Sequence, residues 1–309
     1  MSFMDGAWMR RTAKRWVKES KYLRYSRLLW PDTRLWVRES GTLPSFLVIG
    51  AQRAGSTFLH DHLSTYTSAE ESPLQKEVHY FDNKYYRSLR WYLKFFVPLG
   101  SDSNTKKKNF ETSPYYLYHP AVPKRVAESL PNVKLVVVLR DPVDRAISQY
   151  KWMRQIGLET RTAETAFRTD AERLDLTEDS SYLARFENPL YFDSEHIYRS
   201  YLRRSLYDVQ LRRWLKHFDP DQIRVVASPV LFQRTEEVIT ELAEFLNVES
   251  ISSQVRGDSV NQNSSRDDVP VSDDARQIAR RHLKGVAEQT EDVLTGQMII
   301  GDQPLLEST

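Results

Sequence analysis

The stretch Phe46-Leu-Val-Ile-Gly-Ala-Gln-Arg-Ala-Gly-Ser-Thr57 constrains this chain more than any other feature, because four apolar residues run into two glycines separated by four residues and then into Ser56-Thr57. An apolar run without polar alternation reads as a strand covered on both faces. Gly50 to Gly55 read as a tight loop, and Ser56-Thr-Phe-Leu-His-Asp-His-Leu63 as a helix with an apolar face. A strand that turns through glycines into a helix start gathers backbone N–H groups around a small volume, and these with the helix dipole attract an anion. The stretch therefore predicts an α/β unit with a phosphate-like site at its first turn. The bland alternative is a turn that happens to contain glycine.

The same grammar recurs. Lys134-Leu-Val-Val-Val-Leu-Arg140 reads as a second buried strand, followed by Asp141-Pro142 and a helical pattern through Ala146, Tyr150 and Met153, with Pro142 at an early helical position. Ile223-Arg-Val-Val-Ala227 is a third, followed by a helix from Thr235 to Leu246. Three strands that are each followed by a helix predict an α/β fold: a single P-loop-like domain with a central parallel sheet flanked by helices. The loops at the strand C-termini would gather the site. With 309 residues, 40% of them apolar, such a domain can bury its own core without staples.

The absence of cysteine excludes disulfides and thiolate metal sites, fits a reducing compartment, and leaves no metal expected. The longest apolar run, Leu135 to Leu139, falls far short of the roughly 20 residues that span a bilayer. The N-terminus lacks a secretory apolar region, so the expected location is cytoplasmic. Net charge is +2, so attraction to anions must come from local clusters, and nucleic acid is not an expected partner.

Residues 1–43 read as an N-terminal extension and 44–309 as the domain. Residues 1–40 carry Trp8, Trp16, Trp30 and Trp36 of the seven tryptophans, with ten Lys/Arg against four acidic residues. At helical spacing this basic, aromatic segment would suit an anionic membrane surface or a partner; packing back on the domain with a solvated basic face is the alternative. Leu158 to Asn188 is a long polar connection, either a substrate-recognition insert or a mobile excursion. Val271 to Leu294 reads as a terminal helix.

The cations around the loop decide its chemistry. In nucleotide triphosphatases a Lys follows the second Gly, whereas here Gly55 runs directly into Ser56-Thr57 and Arg53 lies inside the loop. Where such an enzyme would place a metal-binding Asp at the end of the second strand, this chain has Arg140, a side chain that seeks an anion. Ser148, eight residues on, can share a phosphate with the fork of Arg140. The competing roles are an ion pair of Arg140 with Asp141 or Asp144 and a surface hydroxyl for Ser148.

Five blocks in order then carry a family resemblance: Val48 to Thr57; Lys76-Glu-Val-His-Tyr-Phe-Asp82 with Trp91-Tyr92; Glu111-Thr-Ser-Pro-Tyr115; Leu139-Arg-Asp-Pro-Val-Asp-Arg-Ala-Ile-Ser-Gln-Tyr150; and Gln210-Leu-Arg-Arg-Trp-Leu215. The chain resembles the sulfotransferases that use 3′-phosphoadenosine 5′-phosphosulfate, in the branch of the heparan sulfate sulfotransferases and their bacterial relatives. The resemblance implies that Arg53, Ala54, Gly55, Ser56 and Thr57 hold the 5′-phosphosulfate while Arg140 and Ser148 hold the 3′-phosphate. It implies Glu77 as the general base toward an acceptor hydroxyl or amine, with His79 as helper or second candidate. Among Tyr80, Phe81, Trp91 and Tyr92, Glu77 is expected to have its pKa raised by desolvation.

Two departures stand out. Arg53 replaces a Lys found in many relatives, and the family's Lys-Gly-Arg adenosine loop with its cysteine pair is missing. Arg256 to Arg266 takes that loop's place, with Arg266 or Arg256 expected near the 3′-phosphate. A glycan, a glycolipid or a small alcohol would serve as acceptor, and Lys151, Arg154 and Arg161 favour an anionic one unless they form a solvated rim. The rival readings are a small-molecule kinase and a non-catalytic module that binds an anionic polymer or membrane.

Overall fold

The computed structural model describes residues 40–99, 107–251, 269–294 and 298–300. Within them β1 (Phe46–Gly50), β2 (Ala69–Glu71), β3 (Lys108–Thr112), β4 (Lys134–Leu139), β5 (Ile223–Ala227) and β6 (Ile299–Ile300) form one sheet in the order β2-β3-β1-β4-β5-β6. Every pairing is parallel. Among the described residues twelve α-helices accompany the sheet; besides the short helices Ser180–Ala184 and Ser194–Tyr198 they are α1 (Ser56–Tyr66), α2 (Leu89–Leu93), α3 (Val122–Ser129), α4 (Pro142–Gln155), α5 (Ala163–Ala171), α6 (Tyr207–Leu215), α7 (Ser228–Gln233), α8 (Thr235–Leu246), α9 (Asp273–Leu283) and α10 (Val286–Val293).

The strands expected from apolar runs are present, and β1 is buried at every residue because neighbours cover both its edges and both its faces. β4 ends at Leu139, so Arg140 stands just beyond it. Strand order reverses at β1: the chain first builds β2 and β3 on one side and then returns to lay β4 and β5 on the other. Such a reversal opens a crevice at the strand C-termini, where ligands bind in this class of sheet. The segments that leave β1, β2, β3 and β4 carry the residues singled out above.

Local chemistry explains the helix starts. Pro142 occupies the first turn of α4, and the Asp141 side chain accepts from the Asp144 N–H at 2.7 Å. Trp214 of α6 is fully buried and donates its ring N–H to the Leu117 carbonyl at 3.3 Å, which ties α6 to the segment after β3.

Two expectations are corrected. The connection from Leu158 to Asn188 is no mobile excursion: it folds into α5 and shorter turns, with Phe167 buried and Asp170 in a buried pair with Arg203 at 2.7 Å. Its acidic residues look solvated only in one dimension, since Asp170 also accepts the Leu202 N–H and Asp179 caps the short helix Ser180–Ala184. The terminal helix is two helices, because Gly285 takes a φ of 79° between α9 and α10. The extension through residue 39 and the segment from Arg256 to Arg266 lie outside the described residues. No helix among the described residues is long and apolar enough to cross a membrane.

Candidate active site

The loop between β1 and α1 is shaped by two glycines with different tasks. At Gly50 a Cβ would stand 2.6 Å from that of Leu117, so close approach of two backbones requires glycine there. Gly55 has a φ of 111° and caps α1 without a side-chain hydrogen bond, which leaves the N–H groups of the first turn to an anion. The loop is braced from behind. Gln52 accepts from buried Arg204, the Ala54 carbonyl accepts from Ser228, and Ala51 N–H bonds to the Val138 carbonyl at 2.6 Å. A cradle held this way needs little rearrangement when charge arrives.

Arg53, at a φ of 73°, sends its guanidinium to Ser148, with Nε 3.1 Å from Oγ and Cζ 5.5 Å from the Trp152 ring centre. The structure thus joins Arg53 and Ser148, two residues expected at opposite ends of the nucleotide. Arg140 pairs with Asp144 at 3.3 Å, as one of the competing roles anticipated, and the side chains are 35% and 55% exposed. A pair this exposed contributes little, so Arg140 can exchange Asp144 for an anion at small cost. Thr57 is exposed at the start of α1, Ser56 is buried beside it, and Phe232, edge-on to Phe58 at 4.8 Å, sets an apolar surface against Gly55.

The second half of the site lies on the segment after β2. His79 reaches Glu77 with Nε2 3.2 Å from Oε2, and on its other side reaches Asp82 with Nδ1 2.7 Å from Oδ2. His79 sits at a φ of 58°, a turn that brings the ring between the two carboxylates. Burial opposes a charged imidazole, but the charge and hydrogen bond of fully buried Asp82, followed by those of Glu77, push His79 up to about 10. His79 is therefore an imidazolium at neutral pH, with both nitrogens donating.

Glu77 corrects its own expectation. Burial acts to raise its pKa, yet the hydrogen bond and charge of His79, then the charge of Lys76, hold it below the ordinary carboxylate range. With its side chain 41% exposed, Glu77 is a carboxylate presented to the crevice. His79 thereby fixes the orientation of the Glu77 carboxylate. Asp82, the residue that makes this possible, was quoted within a block but given no role; its signal was the spacing Glu-x-His-x-x-Asp.

Glu111 is the second residue without an assigned role. Buried in β3, its carboxylate accepts from the N–H groups of Val78 at 3.0 Å and His79 at 3.2 Å, and from Ser113, Tyr116 and Tyr92 hydroxyls at 2.6, 2.9 and 2.5 Å. The block from Glu111 to Tyr116 is thus the brace that fixes the backbone between Glu77 and Tyr80. Lys76 points from the same segment toward α1, with Nζ 2.6 Å from Thr57 Oγ1.

Of the rim cations, Arg161 is engaged with buried Glu159 at 2.6 Å, and Arg154 donates to the Glu159 carbonyl at 3.4 Å. The Arg161 charge is thereby matched by Glu159, which removes it as an argument for an anionic acceptor, whereas Arg154 stays exposed. Arg266 and Arg256 lie outside the described residues. Among the described residues no group of three or more His, Asp or Glu is placed to hold a metal.

With this geometry in hand, comparisons with known proteins give one answer. Residues 43–282 match the family model described as "Sulfotransferase domain". The chain is 27% identical over 270 residues to membrane-associated sulfotransferase kil1 of Dictyostelium discoideum, covering 68% of this chain and 57% of that protein. It is 31% identical over 221 residues to bifunctional heparan sulfate N-deacetylase/N-sulfotransferase 4 of Mus musculus, covering 69% of this chain. The chain spans about a quarter of that enzyme's length, the match covering 24% of it. In three dimensions it resembles the sulfotransferase of Alicyclobacillus acidocaldarius with a TM-score of 0.59 at 22% identity, over 82% of this chain and 96% of that one, a likeness of fold. A parallel sheet with a glycine-framed loop at its switch point, matched to one family over residues 43–282, makes this chain a member of the sulfotransferase family.

Proposed function

We propose that the protein moves a sulfuryl group from 3′-phosphoadenosine 5′-phosphosulfate to a hydroxyl or amine of a carbohydrate or glycolipid acceptor, by in-line transfer with Glu77 as general base. The observation that carries this reading is the direct bond from Lys76 Nζ to Thr57 Oγ1, because it ties the segment bearing Glu77 to the start of the helix that would hold the donor. That contact supports a donor and a base that share one crevice.

Each group then has a task. N–H groups of Gly55, Ser56 and Thr57, with Ala54 and Arg53, receive the phosphosulfate oxygens, while Arg140 and Ser148 receive the 3′-phosphate. Phe58 and Phe232 offer ring surface to a purine. Glu77, kept ionised and aimed by His79, accepts the acceptor's proton, and Asp82 keeps His79 charged. A charged His79 beside Glu77 makes Glu77 a weaker base than an isolated carboxylate. Its advantage is position, and positioning alone is worth about 7–11 kcal/mol in well-oriented reactions.

The relatives' names mark two acceptor classes. An N-sulfotransferase acting on heparan sulfate favours a polysaccharide amine or hydroxyl, and a membrane-associated relative favours a lipid-linked acceptor met through residues 1–40. Domain division at 43/44 belongs to this proposal, as does a cytoplasmic location. The test is a labelled-sulfate transfer screen over glycan, glycolipid and small-alcohol acceptors, run with the full chain and with residues 1–40 removed. Donor-dependent label in at least one class is expected. Magnesium-dependent transfer from ATP would instead support a kinase, and polyanion or lipid binding without any transfer would support a binding module.

A further inference from the structure

Arg53 is the loop's own cation, but its guanidinium is directed to Ser148 and the face of Trp152. Sulfuryl transfer needs a positive hydrogen-bond donor at one defined point, the oxygen that joins sulfur to phosphorus, because that oxygen gains charge as the bond to sulfur breaks. A planar fork suits the terminal oxygens of a phosphate, whereas a compact ammonium suits a single oxygen.

We propose that Lys76 is the cation that meets this bridging oxygen, an assignment that rests on the proposed reading of the site. Three observations carry it. Lys76 Nζ already reaches the start of α1, 2.6 Å from Thr57 Oγ1, beside the uncapped N–H groups that would hold the donor. Among the described residues this half-buried ammonium forms no ion pair within 4.0 Å: its direct contact is a neutral hydroxyl, and Glu77 and Asp61 act on it only from farther away. An anion at the loop supplies the missing counter-charge. Third, Lys76 precedes Glu77 on the segment held by Glu111, so one brace sets both the cation at the leaving oxygen and the base at the acceptor. Burial also draws the Lys76 pKa below its usual value, against the pull of Glu77 and Asp61, which strengthens it as a donor.

The step balances. The bond from sulfur to the bridging oxygen breaks and leaves its electron pair on the phosphate oxygen of 3′-phosphoadenosine 5′-phosphate. A bond forms from sulfur to the acceptor oxygen or nitrogen, whose proton passes to Glu77. Lys76 stays protonated and donates a hydrogen bond to the oxygen as its charge grows. Arg53, its fork bonded to Ser148, is left to the terminal oxygens of the phosphosulfate.

The experiment compares wild type, Lys76→Met and Lys76→Arg in single-turnover transfer of labelled sulfate, together with the affinity of each for 3′-phosphoadenosine 5′-phosphate. Lys76→Met is expected to slow transfer about 10²–10³-fold, as loss of one transition-state donor does, while nucleotide affinity changes less than about tenfold. Lys76→Arg should recover part of the rate and move the basic limb of the pH–rate profile upward. A wild-type rate in Lys76→Met overturns the assignment, and so does a fall in rate matched by an equal fall in nucleotide affinity. If the wild type itself transfers no label from the donor to any acceptor or to water, the reading of the whole site falls, and Lys76 with it.

Discussion

Asp82→Asn isolates the charge that organises the base. The amide keeps the volume of Asp82 and can still accept from His79 Nδ1, 2.7 Å away, but it no longer offers a negative charge at a fully buried position. In the wild type, Asp82 and Glu77 together raise His79 from 6.5 to about 10. Because the folded-state value lies above the unfolded one, this proton stabilises the fold fully below pH 6.5, and the contribution is lost as pH rises to about 10.

At about 1.4 kcal/mol per pH unit the whole effect is roughly 5 kcal/mol, the larger part of it from Asp82, the buried partner, and breaking a buried pair costs about 3–5 kcal/mol. Urea unfolding at pH 6, 8 and 10 reads it directly. The variant should be about 3 kcal/mol less stable than wild type at pH 6, with the gap closing toward pH 10. Glu77, relieved of a charged neighbour, should titrate higher, which moves the acidic limb of the pH–rate profile upward. A gap that stays constant from pH 6 to 10 would refute the pairing of His79 with Asp82.

Glu111→Gln leaves an amide N–H₂ facing donors where a carboxylate accepted from five groups, so transfer should fall about 10²-fold through misplacement of Glu77 and Lys76 while nucleotide affinity is kept. Loss of rate and nucleotide affinity together would make Glu111 a general structural residue instead. Arg140→Ala should weaken 3′-phosphoadenosine 5′-phosphate about 10–100-fold, the worth of one charge-assisted contact, and leave adenosine 5′-monophosphate unchanged in calorimetry. Equal affinity of the wild type for the two nucleotides would remove Arg140 from the 3′-phosphate.

How much of this was legible in the text depends on range. β1, β4 and β5 were readable because Phe46 to Ile49 and Leu135 to Leu139 are unbroken apolar runs buried on both faces and Ile223 to Ala227 is apolar and buried but for Arg224. β3 was not, because it buries Asn109, Glu111 and Thr112, polar residues that the fold satisfies through distant partners; Asn109 donates to the Thr42 and Val97 carbonyls at 2.8 Å. β2 and β6, at three and two residues, are too short for any period to show. Gly285 did carry a signal for the helix break.

At the site, the loop and Glu77 were found from local order and resemblance. The bond from Lys76 to Thr57 spans 19 residues and follows only from the fold. The electrostatics of Glu77 were read in reverse, since aromatic neighbours announce desolvation in one dimension while the charge of His79, which prevails, depends on a turn at φ 58°.

The most direct test of the account is transfer of labelled sulfate from 3′-phosphoadenosine 5′-phosphosulfate by wild type and Glu77→Gln, with nucleotide binding measured on the same samples. The account predicts transfer by the wild type, a loss of about 10²–10⁴-fold in the variant as expected for a missing general base, and the same affinity for 3′-phosphoadenosine 5′-phosphate in both. Transfer by Glu77→Gln at the wild-type rate would contradict it.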